Sequence, residues 1–256
     1  MKYKNVLVIG GSGKLGQAII SSEYFSSSLK PSSKLVDITK PKTIEKFFDN
    51  NEIDSIINCA ALARMKDCEE DPIKAIKTNI IGTNNLVIEV IKKENKTKNK
   101  IRFVHISTDG VYPGKLGNYS ERDATIPYNK YGWTKLGAEC AVNLLSNFCI
   151  IRTSFFDPNN LKFDKSAVDA YSSKVTIDYL IKAIAVLLNN DFVGTINIGS
   201  KKKSDYDRYK FFKPSLKKCK FNDITRSVNF AMASDSSMDC TLWKKIKEKS
   251  KIYGKK

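Results

Sequence analysis

The 256-residue sequence has few of the residues on which metal sites and membrane spans depend. His105 is its single histidine, so no metal site and no Ser-His-Asp chemistry can rely on a second one. The six cysteines form no Cys-x-x-Cys pair, which indicates reduced thiols and no metal. No apolar run reaches the roughly 18–20 residues of a membrane span, and the first apolar segment follows directly, without a signal peptide. We therefore expect a cytoplasmic protein that does not contact a membrane.

Positive charge dominates the composition, with 44 lysines and arginines against 27 acidic residues and a formal net charge of +17. Such a balance attracts anions, among them dinucleotides, nucleotide sugars and nucleic acids. The lysines are spread along the chain and no stacking motif for single-stranded RNA is present, so a nucleic-acid partner is not favoured. Hydrophobic residues make up 41% of the chain, which is enough for one sizeable α/β domain with a small lobe.

The N-terminal segment predicts a strand, a glycine turn and a helix. Residues 5–9 form a short apolar run that suits a buried parallel strand, and residues 15–24 can form a helix. Between them the sequence reads G-x-x-G-x-x-G, which differs from the usual G-x-G-x-x-G fingerprint. Glycines at these positions let the backbone approach a pyrophosphate, which then lies at the helix N-terminus. The residues assigned to this phosphate turn are Gly10, Ser12, Gly13, Lys14, Leu15 and Gly16.

A second group of candidate residues lies in the middle of the chain. The apolar run 101–106 predicts a strand that ends at Ser107 and Thr108, and open α/β sheets bind ligands at this end of their strands. Residues 128–145 predict a helix on which Tyr131 and Lys135, four residues apart, lie on one face. The ammonium is expected to lower the pKa of the phenol, which makes Tyr131 a general acid for a carbonyl oxygen.

The segment after the first helix allows two interpretations. If residues 34–37 form the second strand, Asp37 lies where an acidic residue binds the ribose 2′-hydroxyl and favours NAD. If residues 27–30 form that strand, Asp37 and Ile38 flank the adenine and Lys30 can meet a 2′-phosphate, which admits NADP. We favour the second interpretation, because residues 36–39 lead into a predicted helix at 41–49 and a strand at 53–58.

Taken together, these motifs resemble the extended short-chain dehydrogenase/reductases, and among them the family of dTDP-4-dehydrorhamnose reductases and related nucleotide-sugar reductases. The resemblance covers about residues 3–200 and is dense between 53 and 154. Its main segments are Ile57-Asn58-Cys59-Ala60-Ala61, residues 79–85, residues 106–112, residues 119–123, residues 127–139 and Ile151-Arg152-Thr153-Ser154.

The resemblance implies a Rossmann-type, doubly wound parallel sheet with a small, shortened C-terminal substrate lobe. Residues 1–154 would form the NAD(P)-binding domain. Residues 155–256 would form the lobe, interleaved with the last sheet elements at 175–200 and followed by a basic C-terminal segment. The lobe is expected to be short because only about twenty residues separate Ser154 from the helix predicted at 175–188.

The resemblance also implies an NAD(P)H-dependent reductase of a nucleotide-linked 4-keto-6-deoxy sugar, serving polysaccharide or glycan precursor synthesis. Thr108, Tyr131 and Lys135 would be catalytic. The cofactor would be NADP or NAD, with NADPH slightly favoured, and the assembly a homodimer. Further cofactor contacts would come from Lys30, Asp37, Ile38, Cys59, Ala60, Ala61, Asn79, Ser107, Tyr131, Lys135 and Thr153. The substrate contacts would be Thr108, Asp109, Val111, Tyr131 and Phe155.

Two alternative functions remain open from the sequence. Sugar dehydratases that resemble this chain carry Asp-Glu after the threonine, whereas here Asp109 is followed by Gly110, which argues against dehydration. A nucleotide-sugar epimerase of the same superfamily is harder to separate from a reductase. A non-catalytic NAD(P)-binding regulatory subunit is the other alternative. It is favoured by the short lobe and disfavoured by the complete set of Thr108, Tyr131 and Lys135.

Overall fold

The computed structural model describes residues 2–250, so residues 251–256 of the predicted basic C-terminal segment lie outside the described residues. Its centre is a five-stranded parallel sheet in the order β1-β2-β3-β4-β9. The sheet strands are β1 (Val6–Ile9), β2 (Ser55–Asn58), β3 (Arg102–Thr108), β4 (Phe148–Thr153) and β9 (Gly194–Ile198). The main helices around it are α1 (Lys14–Ser21), α2 (Pro41–Asp49), α5 (Gly82–Thr97), α6 (Lys130–Val142) and α7 (Ile177–Leu188).

Both faces of the sheet are covered by helices, which confirms the predicted doubly wound class. Alternate residues of a strand point to opposite faces. Accordingly Val6 and Val8 belong to a core with α1 and α7, whereas Leu7 and Ile9 belong to a second core with α2 and α5. Every residue of β1 to β4 is buried, and β1 accordingly appears in the sequence as a continuous apolar run. The strands β2 to β4 also contain buried polar residues, among them Asn58, His105 and Arg152.

The edge beside β1 decides between the two interpretations of residues 27–37. Leu29 pairs with Leu7 in parallel, and Leu29 N–H donates to Val6 O at 2.8 Å. Residues 33–35 form a turn instead of a strand. The predicted position of residues 27–30 beside β1 is therefore confirmed, whereas the cofactor contacts of Lys30, Asp37 and Ile38 stay predictions. The chain passes to one side of β1 at Leu29 and to the other side at β2, which makes the carboxyl end of β1 a topological switch point.

Residues 72–97 form one continuous helical stretch with an irregular centre. It begins with α4 (Pro72–Ala75), where the Asp71 carboxylate accepts from Lys74 N–H, and it continues into α5. Between them Ile76–Ile81 is π-helical and contains the fully buried Asn79. A π-helical turn inserted in a helix often marks a functional site. The short helix α3 (Met65–Glu70) before this stretch was not predicted.

The C-terminal part of the chain adds short elements around the end of the sheet. The helix predicted from Val175 begins two residues later, because Val175–Thr176 pairs with Phe155–Phe156 and the Thr176 hydroxyl caps α7. The domain boundary at 154 stays a prediction. The remaining elements are β5 (Phe155–Phe156), β6 (Lys165–Ala167), β7 (Tyr171–Ser172), β8 (Val175–Thr176), β10 (Lys203–Ser204), α8 (Asp205–Lys210), β11 (Lys217–Cys219), α9 (Phe221–Thr225) and α10 (Thr241–Glu248).

Candidate active site

The glycine turn after β1 is built for close approach of backbone to backbone. Gly10 has φ +88°, a conformation that L residues rarely adopt, and a Cβ added there would lie 2.5 Å from Ala60 N. A Cβ on Gly16 would lie 2.1 Å from Gly10 O. The turn is closed by Gly13 N–H, which donates to Gly10 O at 3.0 Å. Glycine is therefore required at positions 10 and 16 by the turn itself.

The N-terminus of α1 faces outward with its backbone donors available. Gly13 is the N-cap residue, no side chain caps the helix, and no acidic residue lies in the first turn. Ser12, Gly13 and Lys14 are exposed, and a cavity of about 490 Å³ beside the helix is lined partly by Lys14 and Gln17. Since such a helix end carries partial positive charge and free N–H groups, this turn fits a dinucleotide pyrophosphate.

The loop after β2 forms the opposite wall of the switch point. Cys59 donates its thiol to Ile9 O at 3.0 Å, and burial raises the pKa of this thiol to about 12, so Cys59 stays neutral. Ala60 and Ala61 are partly buried. Asn79 holds the next part of this loop: its Oδ1 accepts from Leu62 N–H at 2.7 Å and its Nδ2 donates to Leu62 O at 3.1 Å. Through these two hydrogen bonds Asn79 holds the backbone of the loop after β2 in place.

The residues predicted to lie near the adenosine differ in exposure and in hydrogen bonding; they are Lys30, Asp37 and Ile38. Lys30 is exposed directly after the Leu29 bridge. Asp37 is already used, because its Oδ1 accepts from Thr39 N–H at 3.0 Å and from the Thr39 hydroxyl at 2.7 Å. These hydrogen bonds lower the pKa of Asp37 and hold its carboxylate in a local turn. Ile38 is buried against Gly82.

Tyr131 is brought to Thr108 by close packing at the start of α6. Asn129 caps this helix by accepting from Gly132 N–H at 2.9 Å. A Cβ on Gly132 would lie 2.2 Å from Gly110 O, so the helix presses on the turn that follows β3. The Thr108 side chain also lies close enough to the Tyr131 phenol to affect its pKa. The structure thus brings the predicted strand-end hydroxyl and the helix tyrosine together.

The expected lowering of the Tyr131 pKa is wrong for this structure. Burial raises the pKa of the phenol, the nearby Asp109 raises it further, and the hydrogen bond to Thr108 only partly opposes these effects. Asp109 is itself buried, which raises its pKa, and it accepts a hydrogen bond from the Ser236 hydroxyl at 2.8 Å. Tyr131 therefore stays a protonated phenol over the ordinary working range of pH.

Lys135 lies one turn further along α6 and is buried to 2% exposure. Burial lowers the pKa of its ammonium to about 8, while Glu139 and Cys59 partly oppose that shift. Its Nζ lies 3.3 Å from Nε2 of the single histidine, His105. The sequence suggested a packed imidazole at His105, and the structure adds a direct contact with the candidate catalytic lysine.

A buried polar network supports this corner of the sheet. Arg152 at the end of β4 pairs with Glu139 on α6, with Nη2 to Oε2 at 2.7 Å, and the Ser107 hydroxyl also donates to Glu139. Arg152 Nη1 donates to the Tyr112 hydroxyl at 3.0 Å, and that hydroxyl donates to Asn197 Oδ1 at 2.9 Å. The network joins α6 to β3, β4 and β9. Sequence reasoning missed it, although Glu139 follows Lys135 by one helical turn.

Three predicted contact residues have side chains that are already used elsewhere. The Ser107 hydroxyl donates to Glu139 and the Thr153 hydroxyl donates to Ile198 O at 2.9 Å, so neither hydroxyl has its proton free to donate to a cofactor. Val111 is fully buried in the hydrophobic core and offers no side-chain surface to a substrate. Phe155, by contrast, is only partly buried at the end of the sheet.

A C-terminal segment covers the substrate side of the site. Besides Ser236, the backbone N–H of Asp235 donates to Gly114 O at 3.0 Å, and Asn129 donates to Ala231 O at 3.2 Å. Among residues 2–250, no cluster of three or more potential ligands could hold a metal ion, and no helix is long and apolar enough to cross a membrane. The arrangement therefore offers a phenolic proton donor, a buried amine and a phosphate turn at one edge of the sheet.

The fold and the site together define a Rossmann-type α/β protein with the Thr, Tyr and Lys set of the short-chain dehydrogenase/reductases. The chain belongs to the family described as RmlD substrate binding domain, whose model matches residues 4–174. That match covers more than half of the 256 residues.

Individual relatives agree with this assignment. The chain is 34% identical over 122 residues to the probable low-salt glycan biosynthesis reductase Agl14 of Haloferax volcanii, which is 47% of this chain and 39% of that protein. It is 29% identical over 180 residues to a dTDP-4-keto-6-deoxy-D-glucose reductase of Streptomyces niveus, which is 67% of this chain and 60% of the relative. The chain thus spans between 39% and 60% of the length of these two curated relatives.

The fold is also that of a solved reductase. The crystal structure of dTDP-4-dehydrorhamnose reductase from Bacillus anthracis in complex with NADP superposes with a TM-score of 0.84. The superposition covers 95% of this chain and 92% of that one at 21% sequence identity. At this identity the likeness supports the fold.

Proposed function

We propose that this protein is an NAD(P)H-dependent reductase of a nucleotide-linked 4-keto-6-deoxy sugar. The observation that carries the proposal is the close packing of α6, which bears Tyr131 and Lys135, against the turn that follows Thr108. This contact lies on the same sheet edge as the exposed phosphate turn at Gly13. The nicotinamide cofactor, when bound, would supply the hydride. The names of the relatives support a sugar-nucleotide substrate and a role in glycan or polysaccharide precursor synthesis.

The residues of the chain would act on the ketone by position and proton transfer. Tyr131 gives its proton to the ketone oxygen as that oxygen becomes an alkoxide, which is far more basic than a phenolate even when the pKa of the phenol is raised. Thr108 orients the same oxygen. In the structure the Thr108 hydroxyl donates to Asp109 Oδ1 over 3.2 Å. It can give up this long hydrogen bond and donate to the substrate oxygen instead. Lys135 and the N-terminus of α1 hold the cofactor.

Turnover separates this proposal from its alternatives. NADPH should be oxidised in proportion to an added dTDP-4-keto-6-deoxy sugar, and the reduced sugar should accumulate. A 4-epimerase would interconvert two nucleotide sugars without net NADPH consumption. A regulatory subunit would bind NADPH and catalyse neither reaction. Either of the last two outcomes would replace the reductase proposal.

NADPH is expected to bind at least as tightly as NADH. Exposed Lys30 follows the Leu29 bridge and can meet a 2′-phosphate, whereas the Asp37 carboxylate is held by Thr39 and is not offered to a ribose. Lys30→Glu should therefore weaken NADPH binding by roughly 10-fold or more and leave NADH binding nearly unchanged, as measured by calorimetric titration. An equal loss for both cofactors would place Lys30 away from the 2′-phosphate.

We further propose that the protein forms a homodimer through α5 and α6. Ile73, Ile76, Ile81 and Ile88 on the long helical stretch and Trp133 on α6 are all 44–66% exposed. The two helices are adjacent, since a Cβ on Gly137, one turn after Trp133, would lie 3.0 Å from the side chain of Ile80. Several large apolar side chains exposed on two adjacent helices are typical of an interface.

Charge placed on that surface tests the homodimer. Trp133→Lys and Ile88→Lys should convert a dimer into a monomer in sedimentation experiments, because a buried unpaired ammonium opposes association. Phe211→Lys, at an 82% exposed position on the C-terminal part of the chain, is the matched control and should leave the dimer intact. A wild-type monomer at high micromolar concentration would contradict this assembly.

A further inference from the structure

A chain of three buried polar side chains ends at Lys135. Asn58 at the end of β2 lies with its Nδ2 3.3 Å from His105 Nδ1, and His105 Nε2 lies 3.3 Å from Lys135 Nζ. Asn58 and His105 are 0% exposed and Lys135 is 2% exposed. Buried polar atoms must satisfy one another, so the donors and acceptors along this chain can be assigned in sequence.

The orientation of Asn58 is fixed by the loop that follows it. Ala60 N–H donates to Asn58 Oδ1 at 3.2 Å, which identifies that atom as the oxygen. The Asn58 amide nitrogen is then directed toward Thr83 Oγ1 at 3.3 Å and His105 Nδ1 at 3.3 Å. The reverse orientation would place an NH₂ group against the Ala60 N–H. An amide nitrogen can only donate, so His105 Nδ1 must accept.

His105 therefore has one proton, and that proton is on Nε2. Burial of the ring lowers the pKa of His105 well below its ordinary value, so the imidazole is neutral. A neutral imidazole whose Nδ1 accepts has its N–H at Nε2. That N–H points at Lys135 Nζ, and only an uncharged amine has a lone pair with which to accept it.

We propose that His105 is a positioning residue that holds Lys135 as a neutral amine in the free protein by donating its Nε2–H to Nζ. The carboxylate nearest to Lys135 is Glu139, on the same helix, and it is paired with Arg152 and Ser107. Cys59, from the loop after β2, is a neutral thiol. No acidic partner among residues 2–250 forms a salt bridge with Lys135 that would hold its charge.

The balance between amine and ammonium at Lys135 is close enough for one hydrogen bond to decide. Burial lowers the pKa of Lys135 to about 8, so at pH 7 the ammonium is favoured by only about tenfold before the His105 hydrogen bond acts. A hydrogen bond to a buried acceptor can reverse a preference of that size. An ammonium here would also have His105 as its single hydrogen-bond partner within the described residues.

The consequence for function rests on the proposed nicotinamide cofactor. Ribose hydroxyls beside Lys135 would give an ammonium the acceptors that it otherwise lacks. The protein would then take up about one proton at Lys135 on binding cofactor near neutral pH. This coupling can be measured in calorimetric titrations with buffers of different ionisation enthalpy, whether or not any sugar is reduced.

The first experiment reads the tautomer directly in the free protein. Because the chain has one histidine, ¹⁵N NMR of the imidazole gives a single unambiguous pair of nitrogen signals. We expect a protonated Nε2 and an unprotonated Nδ1 that do not titrate between pH 6 and 8. A proton on Nδ1 would make Nε2 an acceptor from an ammonium and would overturn the proposal, even if the reductase activity were demonstrated.

The second experiment measures the pKa of Lys135 from its ¹³Cε signal, assigned with Lys135→Met. His105→Phe removes the donor and keeps a ring, so the pKa of Lys135 should rise by about one unit or more. Ile150→Val is the matched control, because Ile150 is paired with His105 in the adjacent strand and makes no hydrogen bond to Lys135. It should leave that pKa unchanged. A fall of the pKa in His105→Phe would show that His105 accepts from an ammonium and would contradict the proposal.

Discussion

Tyr131 and Lys135 lie one turn apart on α6, and the protein interior surrounds both functional groups. Their spacing suggests mutual stabilisation of a phenolate and an ammonium, but removal from water disfavours either charge. Burial raises the pKa of Tyr131 and lowers that of Lys135 to about 8. At the residue scale, the site therefore favours a neutral proton donor beside an amine that is easily deprotonated.

Replacing the buried amine of Lys135 by an apolar side chain should stabilise the free protein. Its folded-state pKa of about 8 lies below the ordinary value of 10.5, so the folded state binds fewer protons and wild-type stability rises as pH increases from about 8 to 10.5. At pH 7 Lys135→Met should raise the free energy of unfolding by on the order of 1–3 kcal/mol.

Urea denaturation at pH 7 and pH 10 measures this effect. The advantage of Lys135→Met should shrink at the higher pH, because losing the lysine proton on folding costs less as the pH approaches the ordinary pKa of 10.5. The same variant should lose cofactor binding. A variant less stable than wild type at pH 7 would show that the buried amine contributes to packing more than it costs.

Two kinds of contact hold the elements around the site in place, namely close backbone packing and a buried ion pair. On one side, the turn after β1 packs so tightly that Gly10 and Gly16 have no room for a Cβ. On the other side, the buried pair of Glu139 and Arg152 ties α6 to the strand ends. Gly13 is different, because a Cβ there would meet Gly10 O at an ordinary 3.4 Å and its φ is −76°. Position 13 can therefore be changed without disturbing the fold.

Gly13→Asp should separate cofactor binding from folding. The variant should melt within a few degrees of wild type, because the added side chain projects into open space at an exposed position. It should lose the rise in melting temperature that NADPH gives the wild type, because a carboxylate at the N-cap repels a pyrophosphate. Gly13→Ala is the control and should keep most of that rise. If NADPH raised the melting temperature of Gly13→Asp as much as that of the wild type, the assignment of this turn to phosphate binding would be contradicted.

For the whole molecule, the sequence allowed much of the sheet and its helices to be predicted because apolar segments are followed by recognisable motifs. The strand that ends at Thr108 and the helix that bears Tyr131 were predicted to within three residues at each end. Burial of single groups could not be inferred in this way. The raised pKa of Tyr131 and the use of the Ser107 and Thr153 hydroxyls depend on contacts between residues far apart in the chain.

The C-terminal part of the chain was the least predictable. Apart from α7 and β9, residues 165–225 fold into two-stranded ladders and short helices, which have too few residues for a periodic pattern. Ser236 and Asp109 are hydrogen-bonded although they lie 127 positions apart in the sequence, and no local motif predicts that contact. Long-range contacts of this kind shape the substrate side, while the cofactor side follows from local turns.

The most direct test of the account is the turnover of NADPH with a dTDP-4-keto-6-deoxy sugar by wild type and Tyr131→Phe. Removing the hydroxyl should leave NADPH affinity within about twofold and reduce kcat by roughly 10²–10⁴, the contribution of a positioned proton donor. Thr108→Val should reduce kcat less, because it removes one orienting hydrogen bond and no proton. Full activity in Tyr131→Phe, with wild-type turnover established, would contradict the assignment of Tyr131 as the acid.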